Sequence, residues 1–135
     1  MKLVVALLSI LIPCICYAEI SQIENIYKNC LDTASTKSEV LQCDTTANKA
    51  ALAELNKAYN AAIETIKKNE SGTIANPKSL LSALSASQHA WAQFKDTSCN
   101  YVYQTVISAD GNGGSEMALA CQAAMTIARV KEIQQ

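Results

Sequence analysis

The 135-residue sequence has few of the residues from which catalytic and nucleic-acid sites are usually built. With one histidine, His89, and no Gly-x-Ser-x-Gly element, it lacks the usual base and nucleophile turn of a serine hydrolase. A carboxylate pair such as Glu54 and Asp96 can approach in three dimensions, but no motif distinguishes these two from the other acids. Eleven Lys plus Arg are spread among twelve Asp plus Glu without a basic cluster, which argues against a nucleic-acid surface. The composition therefore favours a protein-binding role over an enzyme.

Residues that interrupt helices are scarce as well, with two prolines and four glycines. No segment alternates strictly between apolar and polar residues, as a half-buried strand would. The apolar residues instead recur every three or four positions, which predicts an all-α protein. We expect a small antiparallel four-helix bundle of two helical hairpins. The first predicted helix ends near Leu31, and the second runs from a Ser38 cap to Lys68. The third spans Pro77 to Ile107, and the fourth runs from a Ser115 cap to the C-terminus.

The chain begins with a short basic region and an apolar run, the layout of a secretory signal peptide. Cleavage after Ala18 would leave Glu19 as the first mature residue, so residues 1–18 are the predicted signal and 19–135 the domain. A membrane anchor is the competing interpretation, but the apolar run is shorter than the ~20 residues that span a bilayer. Lipidation of Cys14 or Cys16 ranks low, because neither follows the usual small residue.

Four cysteines remain in the mature chain: Cys30, Cys43, Cys99 and Cys121. Export to an oxidising compartment favours two disulfides over a zinc site, since no two of these cysteines are two to four residues apart. Of the three possible pairings, the spacing selects Cys30 with Cys43 and Cys99 with Cys121. Each pair is symmetric about a predicted turn, so its members come level in an antiparallel hairpin. We interpret both bonds as structural rather than redox-active.

The largest apolar side chain, Trp91, is predicted to anchor the core together with Leu55, Tyr59 and Phe94. Asp96 and Arg129 are predicted to form a structural ion pair across the third and fourth helices. Arg129 is the sole arginine of the chain, and its planar guanidinium favours bidentate pairing with a carboxylate.

A longer pattern links these residues, and it resembles the LprI-type lysozyme inhibitor family, small exported helical domains of bacteria. Lys95 stands where the family usually has arginine, and the lipid-attachment signal of its lipoprotein members is missing. The pattern reads Cys43, Leu55-Asn56-x-x-Tyr59, Ser87-Gln88-x-x-Trp91-x-x-Phe94-Lys95-Asp96-x-x-Cys99, Gly113-Gly114-Ser115, Cys121 and Thr126-x-x-Arg129.

The resemblance implies a periplasmic or secreted protein that binds and blocks a lysozyme or a related peptidoglycan hydrolase. From the residues themselves we expect no catalytic residue, cofactor or metal, no nucleic-acid partner and no stable membrane insertion after signal cleavage. The alternatives are a non-enzymatic interaction module of the envelope and an immunity protein with another partner. Inhibition requires only a rigid surface that fills a substrate cleft, because a preorganised surface loses little entropy on binding.

Overall fold

A computed structural model describes residues 15–69, 72–109 and 111–135 of the chain. Four helices account for most of them: α1 (Ile15–Thr33), α2 (Lys37–Lys68), α3 (Pro77–Ser108) and α4 (Gly114–Ile133). The all-α prediction and the bundle of two hairpins are thereby confirmed. Most of the predicted signal peptide, residues 70–71, and Asp110 in the segment between α3 and α4 lie outside the described residues. No helix in the described part of the chain is both long and apolar enough to cross a bilayer.

The start of α2 differs from the prediction by two residues. Thr36, not Ser38, is its N-cap, and the Thr36 side chain accepts a hydrogen bond from the Glu39 amide. The Glu39 carboxylate in turn accepts from the amides of Ser35 and Thr36, which completes a capping box. These backbone hydrogen bonds lower the pKa of the Glu39 carboxyl. Thr36 rather than Ser38 is the N-cap because Glu39 lies three residues after Thr36, where its carboxylate can accept a hydrogen bond from the N-cap amide.

The start of α4 also differs from the prediction. Gly113, not Ser115, is the N-cap, and no side chain caps this helix end. The adjacent Gly114 is buried against α3, where a Cβ atom would lie 2.9 Å from side-chain atoms of Ile107 and Tyr103. A glycine is therefore needed at this contact between the two helices of the second hairpin.

The four helices are arranged in the order α1, α2, α4, α3, with the most extensive packing between α2 and α4. Three contacts show that α2 and α4 run in the same direction: Lys37 with Glu116 at 3.3 Å, Asn48 with Gln122 at 3.1 Å, and Glu54 with Gln134 at 3.4 Å. Among the described residues, α1 and α3 do not touch. The bundle is thus flattened, with α2 and α4 in the middle and α1 and α3 on the outside.

The core lies mainly where α2 packs on α4, and alanine dominates the α2 side of that contact. Because alanine has no side chain beyond Cβ, the two helix backbones can approach closely. Trp91 is half-buried beside this core, so its predicted role as an anchor is only partly met. The buried cluster consists of Ile20, Ala51, Leu55, Ala58, Ile127 and Val130.

Both predicted disulfides are present, with Cα–Cα distances of 5.7 Å for Cys30–Cys43 and 5.6 Å for Cys99–Cys121. Since α2 and α4 run in the same direction, the two bonds lie toward the same end of the bundle. At that end Lys37 donates to the carbonyl oxygen of Asn112, which links the loops of the two hairpins. One end of the molecule is therefore held covalently and the other by the apolar core.

The prediction that Phe94 belongs to the core is wrong. Its side chain is 62% exposed, and Cys99 is the only buried residue of α3 in the described structure. An amphipathic pattern shows that residues share a face of a helix, but it does not show which face meets the bundle. Because α3 contacts mainly α4, most of its surface stays in solvent.

Candidate functional site

A groove of ≈ 490 Å³ lies between α1 and α4, where these two helices make little contact with each other. Its surface is mostly apolar, with charged side chains along the rim. Apolar concave surfaces with a few placed polar groups are the usual form of a binding site. The lining residues are Glu24, Tyr27, Lys28, Leu31 and Asp32 from α1, and Ala124, Ile127, Ala128 and Lys131 from α4.

Tyr27 connects the groove to a buried carboxylate on α2. Its hydroxyl donates to Asp44 Oδ1 at 2.6 Å, and Asp44 is only 2% exposed. Burial, the hydrogen bond to Asp44 and the negative charge of that carboxylate together raise the pKa of Tyr27 well above its usual range. Tyr27 therefore stays neutral and acts as a hydrogen-bond donor at any physiological pH.

The second oxygen of Asp44, Oδ2, is buried without a hydrogen-bond donor among the described residues. A carboxylate in this position is poorly compensated, and its field is weakly screened because it acts through the protein interior. The charged residues on the rim of the groove do not carry a net positive charge that would neutralise the Asp44 carboxylate. Lys131 is paired with Glu24 at 2.7 Å, and the remaining Lys28 and Asp32 balance in number. The groove therefore has a negative bias from Asp44 below it.

The structure does not bring Asp96 and Arg129 together as an ion pair. Arg129 contacts Glu132 at 2.8 Å, and Asp96 lies 3.4 Å from its neighbour Lys95 with its side chain 70% exposed. The register of the second hairpin explains this separation, because the disulfide places Arg129 level with Trp91. Asp96 lies five residues further along α3, about 7.5 Å at the rise of an α-helix.

Arg129 instead holds α3 to α4 through a set of polar contacts. Its Nε donates to Gln88 at 3.1 Å and one terminal nitrogen donates to Ser87 at 2.8 Å. Lys95 and Arg129 lie 5.5 Å and 5.9 Å from the centre of the Trp91 ring, within reach of cation–π attraction. Lys95 stands where the family pattern usually has arginine, and it likewise places a positive charge over the ring. The cluster is internally satisfied, and we interpret it as structural.

The carboxylates and the histidine that were weighed for catalysis, and disfavoured, do not lie together. Glu54 is buried on α2 beside Lys57 at 3.6 Å, far from the exposed Asp96 on the outer helix. His89 is exposed on α3. Within the described ranges, no group of three or more His, Cys, Asp or Glu side chains is arranged to hold a metal ion.

Sequence reasoning did not identify the groove or the Tyr27–Asp44 contact. A signal was present, because Asp44 lies three and seven residues before Ala47 and Ala51 on the buried face of α2. A carboxylate on a buried helical face requires a partner, and Tyr27 of the neighbouring helix was the donor available near the same disulfide. The sequence could not predict the opening between α1 and α4, because that opening depends on how the two hairpins pack.

Comparison with known proteins gives a match over most of the chain. Residues 29–133 match the family model described as Lysozyme inhibitor LprI. No curated protein and no solved structure matches the chain.

Proposed function

Because the chain belongs to the LprI lysozyme inhibitor family, we propose that it is an exported, non-enzymatic protein that binds and inhibits a lysozyme or a related peptidoglycan hydrolase. The family match over residues 29–133 is the observation that carries this proposal. The two disulfides support an extracytoplasmic location, since such bonds persist in oxidising compartments. The signal-like N-terminus supports the same location, periplasmic or secreted.

We assign the contact with the hydrolase to the groove between α1 and α4. Lysozymes are commonly basic, and the excess carboxylate of Asp44 beneath the groove favours an arginine or lysine side chain of the hydrolase. The apolar lining can pack against the methylene stem of such a side chain. Because the Cys30–Cys43 bond fixes one wall of the groove, little flexibility is lost when the partner binds.

The function is tested by lysis assays with the disulfide-bonded mature protein and purified lysozymes of several classes. We expect loss of lytic activity against at least one class at a stoichiometric ratio of inhibitor to enzyme. A protein that leaves every class fully active would overturn the assignment.

The groove is tested separately with a matched pair of variants. Ala128→Trp fills the groove from α4, whereas Ala53→Trp places the same side chain on an exposed position of α2 outside it. We expect the first variant to weaken inhibition at least about tenfold and the second to leave it unchanged. Equal inhibition by both variants would reject the groove while leaving the function intact.

The proposed export signal has its own measurement. Mass spectrometry of the protein recovered from the periplasm or medium should give a chain that begins at Glu19. An N-terminal lipid on Cys14 or Cys16, or an uncleaved chain, would contradict the proposed processing.

A further inference from the structure

The outer face of α3 is long, exposed and almost without charge. From Ser79 to Gln104, Asp96 is the one formally charged residue among the exposed positions. An outer helix is ordinarily covered with charged side chains, because only one side of it meets the protein. Here the same face carries large apolar residues, with Phe94 62% and Tyr101 73% exposed. Large exposed apolar side chains on an uncharged helix face are a feature of surfaces that contact another macromolecule.

The exposed residues on this face follow a heptad spacing. Leu80, Ser87, Phe94 and Tyr101 are seven residues apart, and every one is exposed. Ser87 also accepts the hydrogen bond from Arg129 of α4, so this row of residues borders the α3–α4 polar cluster. Three residues after each of them comes a second exposed set, which is uncharged and mostly small: Ala83, Ala90, Thr97 and Gln104. Alternating steps of three and four residues form the pattern with which one helix packs along another. We call these two sets together the outer seam of α3.

The aromatic residues and the alanines of the outer seam are arranged in a self-complementary order. If a second α3 lies antiparallel to the first, with a two-fold axis at residue 92, Phe94 of each copy faces Ala90 of the other. In the same register Tyr101 faces Ala83, Ser87 faces Thr97 and Leu80 faces Gln104. Both aromatic layers therefore set a ring against an alanine, while the other two layers do not alternate in size. A parallel pair would instead place Phe94 against Phe94 and Ala90 against Ala90, which leaves the small layers underpacked.

We propose that the outer seam of α3 is a homodimer interface, occupied by an antiparallel α3 of a second copy of this chain. A two-fold dimer uses one surface patch on both subunits, so a self-complementary patch is the feature that distinguishes this occupant from an unrelated protein. The absence of charge is consistent with the same occupant, because identical charged faces would repel each other. The proposal does not depend on hydrolase inhibition.

The size of the outer seam places the dimer in the class of weak, transient interfaces. From Leu80 to Gln104 it extends about 37 Å, and at a width of about 10 Å it offers on the order of 400 Å² per copy. A standard stable interface takes about 800 Å² from each partner. The dimer is therefore weak and reversible, and it forms at micromolar or higher protein concentrations.

Sedimentation equilibrium of the disulfide-bonded mature protein, from low micromolar to low millimolar concentration, tests the interface. We expect a concentration-dependent monomer–dimer equilibrium. Phe94→Lys should weaken it at least about tenfold, because the charge would face Ala90 of the second copy. Met117→Lys, a matched exposed apolar position on α4, should leave it unchanged.

A residue exchange tests the antiparallel register. Ala90→Phe alone places two rings against each other, and Phe94→Ala alone removes the ring, so each single variant should weaken the dimer. The double variant A90F/F94A again sets a ring against an alanine and should recover most of the association. Circular dichroism checks that each variant remains helical.

Three results would overturn the proposal: a monomer at every concentration, a dimer that Phe94→Lys does not weaken, or failure of the double variant to recover. Loss of hydrolase inhibition in Phe94→Lys, with the wild type monomeric throughout, would assign the outer seam to the hydrolase instead.

Discussion

Helices α2 and α3 have the same length, 32 residues, but opposite positions in the bundle. The central α2 buries eight of its residues, whereas the outer α3 buries only Cys99. Their charge content runs against expectation, since α2 carries many charged side chains and α3 very few. The difference teaches that burial follows from the number of neighbouring helices and cannot be predicted from how many charged residues a helix carries.

The largest difference between α2 and α3 is expected in the free energy of unfolding when one apolar residue on each helix is truncated. Leu55→Ala on α2 removes a buried side chain and should lower the free energy of unfolding by about 2–5 kcal/mol. Phe94→Ala on α3 should change it by less than about 0.5 kcal/mol for the monomer, because the ring is already in solvent. Urea denaturation at low protein concentration measures both. A loss of several kcal/mol in Phe94→Ala would mean that α3 is packed more tightly than the structure shows.

The second-largest difference between α2 and α3 is expected when the disulfides are removed. Replacing Cys99 and Cys121 with serine removes a cross-link worth about 3 kcal/mol in the chain-entropy model, and removing Cys30–Cys43 should lower stability by a similar amount. The consequences should differ in kind, because α3 has no other buried residue to hold it. We expect amide exchange in α3 to rise selectively without the Cys99–Cys121 bond. Equal exchange rates in α2 and α3 of this variant would contradict the distinction.

The smallest expected effect concerns the hydrogen bond between Tyr27 of α1 and the buried Asp44 of α2. Tyr27→Phe removes the donor to buried Asp44 and should lower stability by about 1–3 kcal/mol at neutral pH. Tyr101→Phe on α3 is the matched control and should have no effect, because that side chain is 73% exposed.

The raised pKa of Tyr27 adds a pH dependence to the same pair of variants. Below about pH 10 a tyrosine is neutral in both states, so Tyr27 ionisation does not affect stability there. Above that pH the unfolded chain loses the proton while the folded state retains it, so stability should fall. Thermal unfolding from pH 8 to 11 should show this fall in the wild type and a smaller one in Tyr27→Phe. An unchanged alkaline profile would show that Tyr27 titrates normally.

Local chemistry was sufficient to predict much of this protein. The scarcity of proline and glycine, with apolar residues every three or four positions, determined the four helices and nearly all their ends. The symmetric spacing of four cysteines about two turns determined the disulfides, since a helical rise of about 1.5 Å per residue converts sequence distance into height along a hairpin. Even the two misplaced caps, Ser38 and Ser115, were within two residues of Thr36 and Gly113.

The arrangement of the hairpins was decided only by the tertiary structure. Nothing local to Phe94 or Arg129 shows that α2 packs on α4 and leaves α3 outside, so the ring was predicted in the core and the guanidinium beside Asp96. The same arrangement opens the groove between α1 and α4 and exposes the outer seam of α3. Packing between helices depends on the shapes of whole faces that are distant in sequence. The sequence therefore determined the helices and their covalent links, and the close contact of the alanine-rich face of α2 with α4 decided which surfaces remain available for binding.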